Sequence, residues 1–234
     1  MVKRDLDQLR RTPAYPFIEA AHYLNLPVST LRAWCLGQDY GPTRKTKRFI
    51  PLIKLDGERR EGLSFLNLVE AHVLAAIRRK YEIPLPKVRD ALAYVSEKLN
   101  VARPLSDITF QSDGVGLFVD ELGRLINVVK AGQIEIEHLL RAHLHRIERD
   151  MQSIPIKLFP FTRTGALLDA PTPIEIDPTI AFGRPVVRGR AVPTAVLADR
   201  FKAGDSIRVL SQDLDISGDV VEDAIRCELE RDAA

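Results

Sequence analysis

Two groups of basic residues in this chain have the types and spacing to bind anions. In the first group, three residues near the start of a predicted short helix would be exposed, and a basic run follows downstream. Cations at phosphate spacing, beside an element slim enough to enter a groove, are what DNA binding requires. We predict DNA contacts by Ser29, Thr30, Arg32, Arg44, Lys45, Lys47 and Arg48. The alternative for an isolated basic run of this kind is a solvated loop.

The second group lies near the other end of the chain and consists of Arg184, Arg188 and Arg190. These arginines alternate with glycine, valine and proline in a segment that is acidic overall. One interpretation is that they contact an acidic partner by charge complementarity. The other is that they are solvated hairpin residues.

No catalytic, metal or cofactor site is predicted. His138 and His145 are seven residues apart, too far for the i, i+4 pair of a helical metal site. Cys35 and Cys227 are distant in sequence and are expected to be small buried hydrophobes. Neither a phosphate-binding loop nor a nucleophile elbow is present. The sequence therefore does not predict an enzyme.

Net charge is distributed unevenly along the 234 residues. Residues 1–100 contain 18 Lys+Arg and 11 Asp+Glu, and residues 171–234 contain 8 and 12. The front is thus suited to a polyanion and the rear is not. The hydrophobic fraction of 45% is typical of a globular protein with a core, and neither a secretory signal nor a membrane span is predicted. We expect a cytoplasmic protein.

Several elements must position the front group. Apolar residues at helical spacing predict a first helix over 16–24, and Asn25-Leu26-Pro27 interrupts it. Ser29 is a predicted N-cap for a second helix that Gly37 ends, which completes a helix-turn-helix outline. The basic run and the apolar residues after it predict a β-hairpin. Further helices are predicted from about Ser64 and after Pro86.

The rest of the chain is predicted to be mainly helical with small hairpins. Strands are expected at 108–110, 115–119 and 125–128, followed by a long helix over 131–151. Prolines at 155–173 mark a linker. Strand-like pieces at 174–176 and 185–187 then precede helices at 194–202, 206–212 and 218–231. The predicted class is α+β, with a winged helix-turn-helix (1–100), a β-hairpin and long-helix segment (101–168) and a small helix-turn-helix-like domain (171–234).

The front segment resembles the winged helix-turn-helix of MerR-type regulators. The resemblance covers about 14–100 and rests on 28–34, the basic hairpin, 63–70 and the later helix start at 83–89. It implies that Ser29, Thr30 and Arg32 lie on the recognition helix and that 44–48 form the wing. MerR proteins usually dimerise through one long C-terminal helix, whereas a β-rich insert is expected here.

The rear segment resembles a small domain of unknown function that is often found in VapB-like antitoxins paired with PIN-domain toxins. Its features are Asp177-Pro178, the Gly-x-Pro at 183–185, Gly189 and a proline, Pro193, that begins a helix. The match spans roughly 173–230. The resemblance implies a helix-turn-helix-like fold, but phosphate would repel the acidic residues between 219 and 232. We predict that this end meets protein.

Together these resemblances imply the antitoxin of a type II toxin–antitoxin pair. The front would bind operator DNA and repress its own operon, and another part would neutralise a VapC-type PIN-domain ribonuclease, with Arg184, Arg188 and Arg190 facing its acidic metal site. DNA readers of this shape usually act as two-fold dimers, so a homodimer is expected. The alternative is a MerR-like, ligand-responsive transcription regulator without a toxin partner.

Overall fold

The structure is a computed structural model that describes residues 3–40, 47–58, 61–80, 83–127, 130–160 and 171–229. Within these ranges the fold is mainly helical, and each sheet is a pair of short antiparallel strands. The helices are α1 (Lys3–Arg11), α2 (Phe17–Leu24), α3 (Val28–Leu36), α4 (Phe65–Lys80), α5 (Leu85–Leu99), α6 (Val115–Ile126), α7 (Lys130–Leu144), α8 (Thr194–Lys202), α9 (Ile207–Leu214) and α10 (Gly218–Glu228). The strands are β1 (Gln38–Tyr40), β2 (Lys47–Phe49), β3 (Ile147–Arg149), β4 (Pro155–Leu158), β5 (Ile174–Glu175) and β6 (Val186–Val187). The predicted α+β class with small hairpins is confirmed.

Helices α2 and α3 pack together as the predicted helix-turn-helix. The apolar face of α2 is buried, and Asn25 ends the helix with a φ of 52°, in the left-handed region that asparagine tolerates. Pro27, and not the predicted Ser29, is the N-cap of α3, because its extended backbone turns the chain into the helix. Ser29 therefore lies inside the first turn of α3.

Helix α4 lies at the centre of the main core. Its start is capped by Ser64, whose Oγ accepts a hydrogen bond from the backbone N–H of Asn67 at 3.1 Å. Every residue from Phe65 to Ile77 is buried, so this part of α4 has no exposed face. Helices α1, α2 and α7 pack around α4, so its polar residues must find partners inside the protein.

The strands predicted in the middle segment, at 108–110, 115–119 and 125–128, are wrong wherever the structure describes them; residue 128 lies outside the described residues. Helix α6 occupies most of this region, and a π-helical turn, Phe110–Gly114, precedes it. The buried residues of α6 recur at helical spacing: Val115, Phe118, Val119 and Leu122. The strand prediction followed β-branched residues, whose preference for strands depends on their packing.

The hairpin of the middle segment lies after its long helix and not before it. Helix α7 ends at Leu144, seven residues earlier than predicted. The chain then forms β3 and β4, which pair from Ile147 with Leu158 onward. The side chain of Arg149 donates to the carbonyls of Ser106 and Ser153, which anchors this hairpin to the segment between α5 and α6.

The rear segment follows its prediction closely. Strands β5 and β6 are antiparallel, with Ile174 opposite Val187. Helix α8 has the predicted bounds, and α9 and α10 begin at or within one residue of theirs. These elements surround a second, smaller core that includes Leu197, Leu210 and Val221.

The front and middle segments share one hydrophobic core, because α4 packs on α7 and α5 packs on α6. The rear segment joins this body through backbone hydrogen bonds. The N–H of Leu158 donates to the carbonyl of Ile176 at 3.0 Å, and the N–H of Ile176 donates back at 2.8 Å. The proposed boundary after residue 100 therefore divides elements that share one core; it falls at Asn100, which ends α5.

Candidate nucleic-acid interface

The N-terminal half of α3 presents the predicted contact residues outward. Ser29 and Arg32 are exposed and Thr30 is partly exposed, whereas Leu31 and Trp34 are fully buried. The guanidinium carbon of Arg32 lies 5.3 Å from the centre of the Phe17 ring, within cation–π range. A positive charge is thus held against α2 at the surface of the helix-turn-helix.

The predicted wing is the hairpin of β1 and β2, in which Asp39 pairs with Arg48 and Tyr40 with Lys47. Arg44 and Lys45 lie outside the described residues, and only the strand backbone of Lys47 and Arg48 is described. The base of the hairpin is tightly packed. Gly37 has a φ of 77°, and a Cβ there would lie 2.4 Å from the carbonyl oxygen of Phe49.

Two sets of hydrogen bonds fix the wing to the helices. The N–H groups of Leu52 and Ile53 donate to the carbonyl of Trp34 at 2.8 and 3.1 Å, so the segment after β2 is attached to the end of α3. From α5, Arg89 donates to the carbonyl of Ile50 at 2.5 Å, and its guanidinium carbon lies 4.7 Å from the centre of the Phe49 ring. The predicted recognition helix, the predicted wing and α5 are therefore connected to one another.

A buried polar network supports this surface from behind. Arg103 donates to both carboxylate oxygens of Glu70 on α4, at 2.9 and 2.7 Å, and to Asp56 Oδ1 at 2.7 Å. Asn67 Oδ1 accepts from the N–H of Asp56, and its Nδ2 donates to the carbonyl of Lys54 at 2.9 Å. Burial raises the pKa of Glu70, against the effects of its bonds to Arg103 and Asn67. The network holds the segment between wing and α4 in place.

Sequence reasoning identified neither Arg89 nor Arg103 as part of the site. Both act on residues far away in the chain, since Arg89 reaches Ile50 and Arg103 reaches Glu70. Part of the network has a local signal in the sequence, because Ser64 and Asn67 have the spacing of a capping box at the start of an apolar helix. Their side chains accept hydrogen bonds from each other's backbone N–H groups.

Each of the three rear arginines has a partner within the chain, although each side chain is about half exposed. Arg184 forms an ion pair with Glu19 of α2, and Arg190 pairs with Asp215 at 2.6 Å. The guanidinium of Arg188 lies 4.9 Å from the Phe159 ring and donates to Thr172 at 2.8 Å, with Glu148 at 3.9 Å. Their role in binding a partner stays a prediction.

The rear module, which we define as residues 171–229, contacts the helix-turn-helix directly. His22 Nε2 lies 2.6 Å from the carbonyl oxygen of Cys227, and Arg184 reaches Glu19. A Cβ on Gly183 would lie 2.4 Å from the hydroxyl of Tyr15, so glycine is needed for this close approach. Both cysteines are buried, and burial raises the pKa of the Cys35 thiol to about 12.

Next to the contact between the rear module and the helix-turn-helix is an unusual turn, and it carries an exposed aromatic side chain, Phe182. Ala181, Phe182 and Gly183 all have left-handed backbones, with φ values of 47°, 56° and 77°. For the two residues that are not glycine this costs about 1–2 kcal/mol each. The Phe182 side chain is nevertheless 94% exposed and gains no packing from the turn.

Two further properties bear on function. Among the described residues, no helix combines the length and apolar character needed to cross a membrane. In the same ranges no group of three or more His, Cys, Asp or Glu side chains is arranged to hold a metal ion.

Two family models match separate parts of the chain. The family described as "Putative DNA-binding HTH domain" matches residues 13–92, which include the helix-turn-helix, the wing and the start of α5. The family described as "Protein of unknown function (DUF433)" matches residues 174–226, which form most of the rear module.

One curated relative and one crystal structure are similar over nearly the whole chain. "Putative antitoxin VapB45" of Mycobacterium tuberculosis (strain ATCC 25618 / H37Rv) is 23% identical over 231 residues, which are 91% of this chain and 92% of that protein. The crystal structure of Rv2018 from Mycobacterium tuberculosis has a TM-score of 0.64 and 19% identity, and covers 91% of this chain and 97% of that one. The fold is therefore that of a known structure. The predicted resemblance to a VapB-like antitoxin with an N-terminal helix-turn-helix domain is confirmed.

Proposed function

We propose that this protein is a DNA-binding antitoxin and not an enzyme. Its front would bind operator DNA to repress its own operon, and its rear module would neutralise a VapC-type PIN-domain ribonuclease. The observation that carries this proposal is the similarity to VapB45 along 91% of the chain, with a helix-turn-helix family match at one end and a separate module at the other.

The DNA contacts are assigned to α3 and the wing. A nine-residue helix is about 13 Å long, and B-DNA's major groove, about 12 Å wide, admits such a helix. Ser29, Thr30 and Arg32 would meet the DNA at its N-terminal half, where free N–H groups also favour phosphate. The wing residues Arg44, Lys45, Lys47 and Arg48 would cross the adjacent backbone.

The test of DNA binding is a titration of the chain's own promoter fragment at several salt concentrations. We expect Arg32→Ala and Lys45→Ala each to weaken binding and to lower the salt slope by about 1, if each contacts one phosphate. Lys98→Ala is the matched control, since this lysine is exposed at the far end of α5. Equal slopes for all three variants and the wild type would assign the DNA contacts elsewhere.

A protein partner is proposed for the rear module because its charge disfavours nucleic acid. Residues 171–234 contain 12 acidic and 8 basic residues, and α10 exposes Asp219 beside the half-exposed Glu222. Arg184, Arg188 and Arg190 already have internal partners, so a toxin would have to compete for them or add to their networks. Phe182 has no such constraint. We therefore place Phe182 at the centre of the toxin contact and the arginines around it.

Co-expression with a neighbouring PIN-domain gene tests this assignment. Wild type should relieve toxicity and co-purify with the toxin. Phe182→Asn should relax the left-handed backbone and raise thermal stability, yet weaken toxin binding by tenfold or more, since buried aromatic anchors dominate interfaces. Met151→Asn is the control, because Met151 is equally exposed in the β3–β4 hairpin.

The outcomes separate the two levels of the proposal. If wild type neither rescues nor co-purifies, the antitoxin function is wrong. If wild type does both and Phe182→Asn matches it, only the place of the contact is wrong, and Arg184→Gln, Arg188→Gln and Arg190→Gln then test the arginines.

We also propose a cytoplasmic homodimer that binds two half-sites about one helical turn, roughly 34 Å, apart. Light scattering on the purified chain tests the dimer, and footprinting tests the spacing. The alternative function is a MerR-like, ligand-responsive transcription regulator without a toxin partner. A cleft beside the wing favours it, since a small molecule held there would lie next to the DNA-binding surface.

A further inference from the structure

A cleft of about 610 Å³ opens between the segment after β2, helix α5 and the turn at Pro104–Ser106. Its volume lies within the range of small-molecule sites. The apolar part of its lining is formed by leucines: Leu52, Leu55, Leu92 and Leu105. The charged part is formed by four cations and two carboxylates: Arg11, Lys54, Arg89, Arg103, Asp56 and Glu70.

The two carboxylates in this cleft are already neutralised. Arg103 holds Glu70 through two hydrogen bonds and Asp56 through a third, and Arg11 lies 3.5 Å from Asp56. Arg103 and Arg11 are therefore engaged as well. A cationic ligand would meet no free carboxylate here.

Lys54 and Arg89 are the cations that remain. Neither has an acidic partner among the described residues, and the Lys54 residue is exposed at the cleft. Arg89 bonds the carbonyl of Ile50, but its Nε is buried and has no hydrogen-bond partner in the described part of the chain. Both side chains therefore bring to the cleft a positive charge that no carboxylate of the described residues neutralises.

We propose that this cleft binds a small amphipathic organic anion, a carboxylate or phosphate ester with an apolar body. Lys54 and Arg89 bind the anionic group, and the leucines cover the apolar body. The assignment does not depend on a toxin partner. Two positive charges beside an apolar wall favour this ligand class over neutral or cationic molecules.

The position of Arg89 couples the cleft to the wing. Its guanidinium packs on Phe49 and bonds Ile50, at the base of the hairpin proposed to touch DNA. An anion that pairs with Arg89 competes for these contacts and loosens the wing. The ligand therefore lowers DNA affinity, and DNA lowers ligand affinity by the same factor. This second step rests on the proposed DNA binding.

The test uses anilinonaphthalene sulfonate, an aromatic anion that fluoresces in apolar sites, with the full-length chain. Octanoate should displace it at a concentration at least tenfold lower than octanol does, because octanol has the same chain and no charge. Lys54→Gln and Arg89→Gln should each weaken probe binding about tenfold, the loss expected for one charge-assisted hydrogen bond. Lys98→Gln, whose side chain lies outside the cleft, should bind as wild type.

Equal displacement by octanol and octanoate would overturn the anion site, as would wild-type affinity in Lys54→Gln. The lysine variant matters because Lys54 is exposed and its replacement leaves the fold intact, whereas Arg89→Gln also removes a contact to the wing. Octyl phosphate, compared with octanoate, identifies which anionic group the site prefers. The coupling is tested by promoter binding of the wild type with and without saturating octanoate, and equal binding would overturn the coupling. If the wild type binds no DNA at all, the proposed function is wrong instead.

Discussion

Replacement of Arg103 by methionine would test whether the buried polar network stabilises the front of the protein. Arg103 donates to both oxygens of Glu70, to Asp56 and to the carbonyl of Lys54 at 3.1 Å. Methionine keeps much of the apolar stem and removes all four hydrogen bonds. Glu70 would then be a carboxylate without a cation at a position only 4% exposed.

The expected cost follows from that burial. Removing one partner of a buried ion pair typically costs 3–5 kcal/mol, because the remaining charge is left in a poorly solvated site. Since whole domains are stable by only about 5–15 kcal/mol, we expect a large loss. Glu70→Gln combined with Arg103→Met should cost less than Arg103→Met alone, because the amide carries no charge to be left unpaired.

The cost should depend on pH in a definite direction. Burial already raises the pKa of Glu70, and loss of Arg103 removes the hydrogen bonds and the positive charge that lower it. A carboxyl with a higher pKa in the folded than in the unfolded state favours folding at low pH, and this contribution is lost as pH rises through the folded pKa. The destabilisation by Arg103→Met should therefore be smaller at pH 5 than at pH 8.

Urea denaturation monitored by tryptophan fluorescence measures this loss. Trp34 is the single tryptophan of the chain and is fully buried in α3, so its emission reports unfolding of the helix-turn-helix. A loss below about 1 kcal/mol at pH 8 would refute the argument, since surface pairs contribute that little. A pH-independent loss would show that packing and not the Glu70 charge is responsible.

Three further substitutions or reactions give sharp expectations. Gly183→Ala should lower the melting temperature more than Gly189→Ala. Both glycines have a positive φ, but only a Cβ on Gly183 would clash with another residue, 2.4 Å from the Tyr15 hydroxyl. Equal effects would contradict the close contact between the rear module and Tyr15. Gly37→Ala should weaken promoter binding by distorting the wing base, and circular dichroism should show the helices retained. Iodoacetamide at pH 8 should leave Cys35 unmodified until urea is added, because burial raises the pKa of its thiol to about 12, and rapid native alkylation would show it accessible.

The elements that sequence predicted well are those with local signals at both ends. Helix α8 begins after Pro193, which presets an extended backbone, and ends before the turn at Gly204. Within the helix-turn-helix, α2 ends at Asn25 and α3 ends at Gly37, and both residues have a positive φ. Such stops act within a few residues, so they can be read without knowledge of the fold.

The middle segment was mispredicted because its signals are not local. Phe118 and Leu122 are fully buried because α6 packs between α5 and α7, and this packing outweighs the strand preference of neighbouring valines. Packing also explains why α4 is buried on every side from Phe65 to Ile77, since other elements surround it. Sequence periodicity identifies one apolar face and does not reveal how many neighbours a helix has.

The candidate site shows the same limit. Exposure of Ser29 and Arg32 follows from their place on a nine-residue helix and was predicted. The contact between Arg89 and the wing was not, because 39 residues separate Arg89 from Ile50. Arg184 was predicted either to contact an acidic partner protein or to be a solvated hairpin residue, yet it pairs with Glu19, 165 residues away in the same chain. Spacing in the sequence can indicate which basic residues share a surface. It does not reveal which of them form ion pairs with residues that are distant in the chain.

The ion pair between Glu19 and Arg184 also changes how the charge asymmetry should be interpreted. Glu19 is an acid on α2, the helix beside the proposed recognition helix, and free there it would repel phosphate. Arg184 pairs with it, so under the proposed DNA binding a basic residue of the acidic rear module offsets a repulsive charge on α2. Truncation of the rear module would therefore have two effects. It would remove the surface proposed to bind the toxin, and it would also expose Glu19 and Tyr15. Point substitutions such as Phe182→Asn, which leave this joint in place, are for that reason the cleaner way to separate DNA binding from partner binding.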